Sequence, residues 1–337
     1  MEQRRLGRSG LRVSRLALGT MTWGRDTDEH EARDQLTAFL DAGGTLVDTA
    51  AGYADGDSER LLGSLIRESA SRDDLVLATK AGISRRTGLR VVDTSMRGLL
   101  GQLDESLHRL GTSHVDLWQV HTWSYGTELD ETLAALDAAV ASGRTRYVGI
   151  SNYSGWQIGR AAAWQLAWPG RAPLVSTQVE YSLLERGVER EIVPAARELG
   201  LGMLAWSPLG RGVLTGKYRT GTPADSRAAT AHYSAFVDRF LTPDADRVVA
   251  AVCTAAEGLG LAPLEVALSW VRDQPGVCSA IVGARTAAQL RGSLQAETIT
   301  LPEEIRTALD EVSPPAAGYP ERSEDQHRDA GDSWERS

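Results

Sequence analysis

The run Leu75-Val76-Leu77-Ala78-Thr79-Lys80 is apolar for most of its length and closes in an ammonium. Short runs dense in Val and Leu fit strands buried on both faces. Seven further runs of this kind predict strands over 16–21, 45–49, 115–121, 147–151, 174–180, 202–207 and 280–283. The segments between them carry apolar residues at three- and four-residue spacing, the period of an amphipathic helix. Leu99, Leu103, Leu107 and Leu110 form one stripe, Leu133, Leu136 and Val140 another, and Leu290 and Leu294 a third. Eight strand–helix units in 337 residues predict an α/β fold, a (β/α)8 TIM barrel.

An open doubly wound sheet carries a glycine-rich turn after its first strand. Here the first strand runs into Gly19-Thr20-Met21-Thr22-Trp23 instead. The segment Gly210-Arg211-Gly212-Val213-Leu214-Thr215-Gly216 is glycine-rich, but its spacing and its place late in the chain do not fit that turn. Residues 4–15 predict an N-terminal hairpin, turning at Arg8-Ser9-Gly10 and plugging the barrel floor. Residues 220–242 lack periodicity and are long for a plain connection, which suits a lid. Residues 1–317 read as a single barrel, and 318–337 as a flexible charged tail.

The net charge of −9 argues against nucleic acid or an anionic membrane as partner, since both need a basic face. No apolar stretch approaches the roughly 20 residues that span a bilayer. The residues after Met1 lack the apolar core of a secretory signal. A cytoplasmic protein is therefore expected, with a small molecule as its main partner and homo-oligomerisation left open. Cys253 and Cys278 have no metal or redox spacing, and no metal site is expected.

Only two of the 36 basic residues are lysines, Lys80 and Lys217. A lysine in so arginine-rich a chain points to a place where a guanidinium would not serve. The single asparagine, Asn152, also follows an apolar run. Barrel active sites lie at the C-terminal strand ends. Those ends offer Gly19-Thr20-Met21, Asp48 followed by Tyr53, Lys80, His121, Ser151-Asn152, Gln178, Trp206-Ser207 and Gly283. Core packing alone would not leave a polar residue at nearly every strand end.

Asp48-Thr49-Ala50 with Tyr53, then Lys80, then His121, resembles the catalytic tetrad of the aldo-keto reductases. Gly149-Ile150-Ser151-Asn152, Gln178-Val179-Glu180-Tyr181, Trp206-Ser207-Pro208-Leu209 and Ile281-Val282-Gly283-Ala284-Arg285 match that family too. The similarity runs from about residue 6 to about residue 309. Trp rather than Tyr at 206 is similar to the long-form branch that includes potassium-channel β subunits. The resemblance implies an NADPH-dependent oxidoreductase that reduces aldehydes or ketones to alcohols. Tyr53 would be the general acid, its pKa drawn down by the Lys80 ammonium. Asp48 would hold Lys80 charged, and His121 would orient the carbonyl.

For the cofactor, the resemblance implies Gly19, Thr20 and Met21 at the first strand end. Ser151, Asn152 and Gln178 would meet the carboxamide, and Trp206 would stack on the nicotinamide. Ser207, Leu209, Gly210, Gly212 and Lys217 would cross the pyrophosphate. Gly283, Arg285 and Gln289 would hold the adenosine end, with Arg285 favouring the 2′-phosphate of NADPH over NADH. Gly292-Ser293 departs from the Glu-Asn of many relatives. Trp23, Trp123 and Tyr125, with Trp206, Tyr233 and Phe236, are candidates for the substrate mouth. Two other readings stay open: a Schiff-base aldolase or isomerase acting through Lys80, and a redox-sensing binding protein of the channel-β type.

Overall fold

The apolar runs become parallel strands because each loses both faces to packing, one to the barrel interior and one to the helices. The computed structural model describes residues 1–84, 88–219, 221–223, 226–229, 234–315 and 318. Among them, eight parallel strands close a barrel: β1 (Leu16–Gly19), β2 (Leu46–Asp48), β3 (Val76–Ala81), β4 (Val115–Val120), β5 (Thr145–Ser151), β6 (Leu174–Glu180), β7 (Gly202–Trp206) and β8 (Val277–Val282). Each strand pairs with the next in sequence, and β8 returns to β1. The register sets Asp48 beside Ala78, Lys80 beside Gln119, Ser151 beside Gln178 and Glu180 beside Trp206.

Seven strands each send a side chain into one inner cluster: Ala17, Leu46, Ala78, Leu117, Val175, Leu204 and Ile281. Leu6 and Val13 of the N-terminal hairpin (Gln3–Arg5 and Arg12–Ser14) complete it. The Arg8 amide donates to Gly200 O at 2.9 Å, which fixes the hairpin across the floor as expected. The opposite strand faces meet the helices. The predicted stripes are buried there, Leu99, Leu103, Leu107 and Leu110 on Met96–Leu110 and Leu133 and Leu136 on Leu129–Ala141. Ser95 and Thr242 cap helix N-termini through their side chains, and Gly111 and Gly200 end helices in the left-handed conformation.

Four features differ from the sequence expectation, the first being β5, which begins at Thr145, two residues early. β1 ends at Gly19, because a turn follows in which Trp23 N donates to Thr20 O. β8 begins at Val277, three residues early, through Cys278 and Ser279, which interrupt the apolar signal but are buried. A two-residue antiparallel ribbon, Ile83–Ser84 with Val91–Val92, follows β3. Apart from Gly318, the expected tail lies outside the described residues. Within 220–242 the described residues form a 3-10 turn, Arg227–Ala229, and a short helix, Ser234–Asp238.

Candidate active site

β2 and β3 end side by side, so Asp48 and Lys80 meet under the C-terminal rim. Lys80 Nζ donates to Asp48 Oδ2 and to Thr49 O, both at 2.7 Å. Lys80 is 1% exposed, and Asp48 is nearly as sealed. Burial pulls the ammonium pKa down, but the Asp48 charge and then Tyr53 outweigh it, and the net direction is up. The second carboxylate oxygen, Asp48 Oδ1, accepts from Gln178 Nε2 at 2.9 Å. Asp48 thus holds the cation with one oxygen and Gln178 with the other.

Tyr53 stands above this pair on the turn Tyr53–Gly56. Its ring centre lies 5.1 Å from Lys80 Nζ and 5.9 Å from the His121 ring, edge to face. The backbone ties the turn to β3, with Ala51 N donating to Lys80 O at 2.9 Å. His121 follows β4, and its amide donates to Ala81 O at 2.8 Å. The four residues named for catalysis therefore converge at one end of the barrel.

On the adjoining strand ends, Asn152 takes a left-handed φ of 59°. Its Nδ2 donates to His121 O at 2.9 Å, and its Oδ1 accepts from Trp206 Nε1 at 3.1 Å. Ser151 Oγ and the Asn152 amide both donate to Gln178 O, at 2.9 and 3.0 Å. With Gln178 Nε2 committed to Asp48, its Oε1 has no hydrogen-bond partner among the described residues. A primary amide needs such an acceptor for its NH2, so this position suits a nicotinamide carboxamide. Asn152, in contrast, already uses both ends of its amide.

The loop after β7 continues the same rim. Ser207, Gly210, Arg211, Gly212 and Gly216 all have positive φ, which bends the backbone into a tight curl. A Cβ at Gly212 would lie 3.2 Å from Lys217 Nζ, so the ammonium lies against the bare backbone of that curl. Leu209 is half-buried and Gly210 buried against Leu184. Beyond β8, Gly283 is exposed, and the Arg285 amide donates to Gln289 Oε1 at 3.0 Å. Gly292 faces open space, with nothing among the described residues beyond its own helix turn within 4 Å of where its Cβ would lie. A chain of amide, aromatic, glycine and cationic groups thus runs from β5 to β8, a donor set that fits a nicotinamide dinucleotide.

Several expected residues lie elsewhere. Trp23 is 0% exposed: the turn after β1 folds it under the helix Glu29–Asp41, where Nε1 donates to Gln35 Oε1 at 3.0 Å. It is a core residue and does not line the mouth. Gly19 and Thr20 are also sealed. A Cβ at Gly19 would strike Ile281, and Thr20 Oγ1 pairs with Ser58 Oγ at 2.8 Å, so of this trio only Met21 meets solvent. Trp123 packs edge to face on Tyr125, Tyr153 and Trp156, with centroids 5.1–6.4 Å apart, and its buried Nε1 has no hydrogen-bond partner among the described residues. Tyr125 stands almost wholly in solvent. Phe236 lies flat on the Arg211 guanidinium, 3.2 Å from its ring centre. Arg211 in turn binds Glu180 at 3.0 and 2.9 Å, so the curl is tied to the end of β6 by Glu180 and to the Ser234–Asp238 helix by Phe236. Tyr233 lies outside the described residues.

Sequence reasoning missed Ser58, Glu59 and Arg109, which are buried or half-buried around the Tyr53 turn. A Glu in the first turn of a helix looks like an ordinary dipole partner. Nothing local marks Glu59 as sealed.

Comparison with known proteins agrees with this geometry. The model of the aldo/keto reductase family matches residues 15–314. The chain is 36% identical to "Uncharacterized oxidoreductase YrpG" of Bacillus subtilis, over 94% of this chain and 98% of that one. It is 35% identical to "Probable voltage-gated potassium channel subunit beta" of Oryza sativa, over 96% and 99%. It is also 35% identical to "L-glyceraldehyde 3-phosphate reductase" of Escherichia coli K12, over 88% and 87%. With eight strands closing its barrel and a family match over nearly its whole length, the chain belongs to the aldo/keto reductase family.

Proposed function

We propose that this oxidoreductase reduces aldehydes or ketones to alcohols with NADPH as cofactor. The carrying observation is the sealed Asp48–Lys80 pair directly beneath Tyr53 and His121. When bound, the nicotinamide supplies the hydride. The chain's own residues manage the proton and the geometry. Reduction turns the carbonyl oxygen into an alkoxide, which needs a proton. A phenol is a poor donor at neutral pH, since its ordinary pKa is near 10. The Lys80 ammonium favours the phenolate and so makes Tyr53 a better acid. Asp48 keeps that ammonium charged in a place where burial alone would discharge it. His121 stands beside the Tyr53 ring and orients the carbonyl oxygen between the two.

Gln178 Oε1 would accept from the carboxamide, and Trp206, its indole fixed by Asn152, would stack on the ring. Lys217 and Arg285 supply cations for the phosphates, and Arg285 carries the preference for a 2′-phosphate. The charged state of Lys80 disfavours the Schiff-base alternative, which needs a neutral amine.

The test is consumption of NADPH, with NADH in parallel, by the purified protein against aromatic, aliphatic and sugar-derived carbonyls. Turnover with NADPH ahead of NADH is expected for at least one class. NADH oxidised as well as NADPH would remove Arg285 from the assignment. Tight NADPH binding with no turnover on any class would move the protein to the sensor reading.

A further inference from the structure

Glu59 is a carboxylate sealed from solvent, and it bonds to Thr79 and Arg109 beside the site without entering it. It lies in the first turn of the helix Asp57–Ser69, just after the Tyr53 turn. Its Oε1 accepts from Thr79 Oγ1 at 2.5 Å, and Thr79 directly precedes Lys80. Its Oε2 accepts from Arg109 Nε and lies 2.7 Å from both Nε and Nη2. Arg109 ends near the C-terminus of Met96–Leu110 and lays its stem against Gly56. A Cβ there would lie 2.8 Å from Arg109 Cδ and 2.9 Å from Nε.

The turn needs such a wall. Ala54, Asp55 and Gly56 have φ of 46°, 52° and 95° in succession. For the two non-glycine residues this is a strained conformation, and such strain persists only where the surroundings over-determine it. Glu59 supplies the constraint from below. A buried carboxylate requires its cation, so Arg109 is not free to leave. Ser58 anchors the same segment, donating to Thr20 O at 2.8 Å and lying 3.2 Å from Thr49 Oγ1.

We propose that Glu59 and Arg109 are positioning residues that set the Tyr53 hydroxyl against the Lys80 ammonium. The route is short: Lys80 to Thr79 along β3, to Glu59, to Arg109, to Gly56 and back to Tyr53. Among the described residues, the charged and titratable groups facing Tyr53 include Lys80, with Asp48 behind it, and His121. Around the pair itself, Arg109 also reaches Glu105 at 3.3 Å and Ser106 Oγ at 3.2 Å. Arg109 touches Glu59 and lies against Gly56, so it acts on Tyr53 through the turn, and Arg109→Lys, which keeps a cation on Glu59, separates that placement from the loss of charge. The assignment rests on Tyr53 being the acid.

The test compares Arg109→Leu and Arg109→Lys, each made with and without Tyr53→Phe. The ultraviolet difference between each protein and its own Tyr53→Phe version, titrated without substrate, reports the ionisation of Tyr53 alone. In Arg109→Leu that ionisation is expected to move up toward the ordinary tyrosine value near 10. The kcat should fall about 10- to 100-fold, what a misplaced catalytic group costs, with cofactor affinity unchanged. Arg109→Lys, which keeps a cation on Glu59, should recover part of both. If Arg109→Leu does not fold, Gly56→Ala presses the same contact with the ion pair intact and should shift the titration the same way. A lower Tm with unchanged kcat and unchanged Tyr53 ionisation would overturn the proposal and leave a pair that supports the fold alone. Turnover that survives Tyr53→Phe would instead sink the acid assignment, while the titration would still report whether Arg109 places Tyr53.

Discussion

Lys80 shows why this chain keeps a lysine where arginine is its habit. The seat beneath Tyr53 offers two acceptors, Asp48 Oδ2 and Thr49 O, both 2.7 Å from one nitrogen. A point charge with three donors fits there, whereas a planar fork would spread past both acceptors. Lys80→Arg should therefore keep the charge but lose about 100-fold or more in kcat, near the worth of a tuned general acid. Steady-state kinetics would check this, and wild-type turnover would mean that charge alone suffices. The pH behaviour follows from the direction of the shift. Lys80 in the fold has its pKa raised. Its stabilising share is thus complete below the ordinary lysine value near 10.4 and is lost only as pH rises through its own higher value. Denaturant midpoints between pH 7 and 10 should show no loss from this pair. A fall within that window that disappears in Lys80→Met would contradict it.

At the scale of elements, the hairpin makes the barrel floor. Leu6 and Val13 fill the inner cluster that seven strands leave open at one end. Leu6→Ala should cost about 2–4 kcal/mol, read as a lower denaturation midpoint with kcat per folded molecule unchanged. A matching loss of kcat would mean that the floor governs the rim. This element was legible in the sequence, as were all eight strands, because burial on two faces writes itself as short apolar runs. The gathering of Asp48, Lys80, His121, Asn152, Gln178 and Trp206 at one rim was legible for a related reason, since strand ends are countable once the strands are. What stayed hidden depends on contacts between distant segments. Trp23 follows a strand end in sequence, yet a turn carries it under a helix to Gln35. Glu59 and Arg109 lie 50 residues apart and meet only in the fold. The Ile83–Ser84 ribbon is too short for any periodicity to mark it.

At the scale of the whole molecule, one end of the barrel gathers residues from every strand from β2 to β8. Asp48, Lys80 and His121 come from successive strands, Gln178 joins Asp48 from across the barrel, and Asn152 and Trp206 extend the bonding toward Gly283 and Arg285. On the proposed reading cofactor binding and proton delivery are separable, because Tyr53 lies on its own turn and is not among the residues assigned to the cofactor. Tyr53→Phe, loaded with NADPH and mixed with the best carbonyl substrate in a single turnover, should react at least about 100-fold more slowly than the parent, while fluorescence titration gives the same NADPH affinity. Reaction at the parent rate would contradict both the assignment of Tyr53 as the acid and the role of the Asp48–Lys80 pair in tuning it.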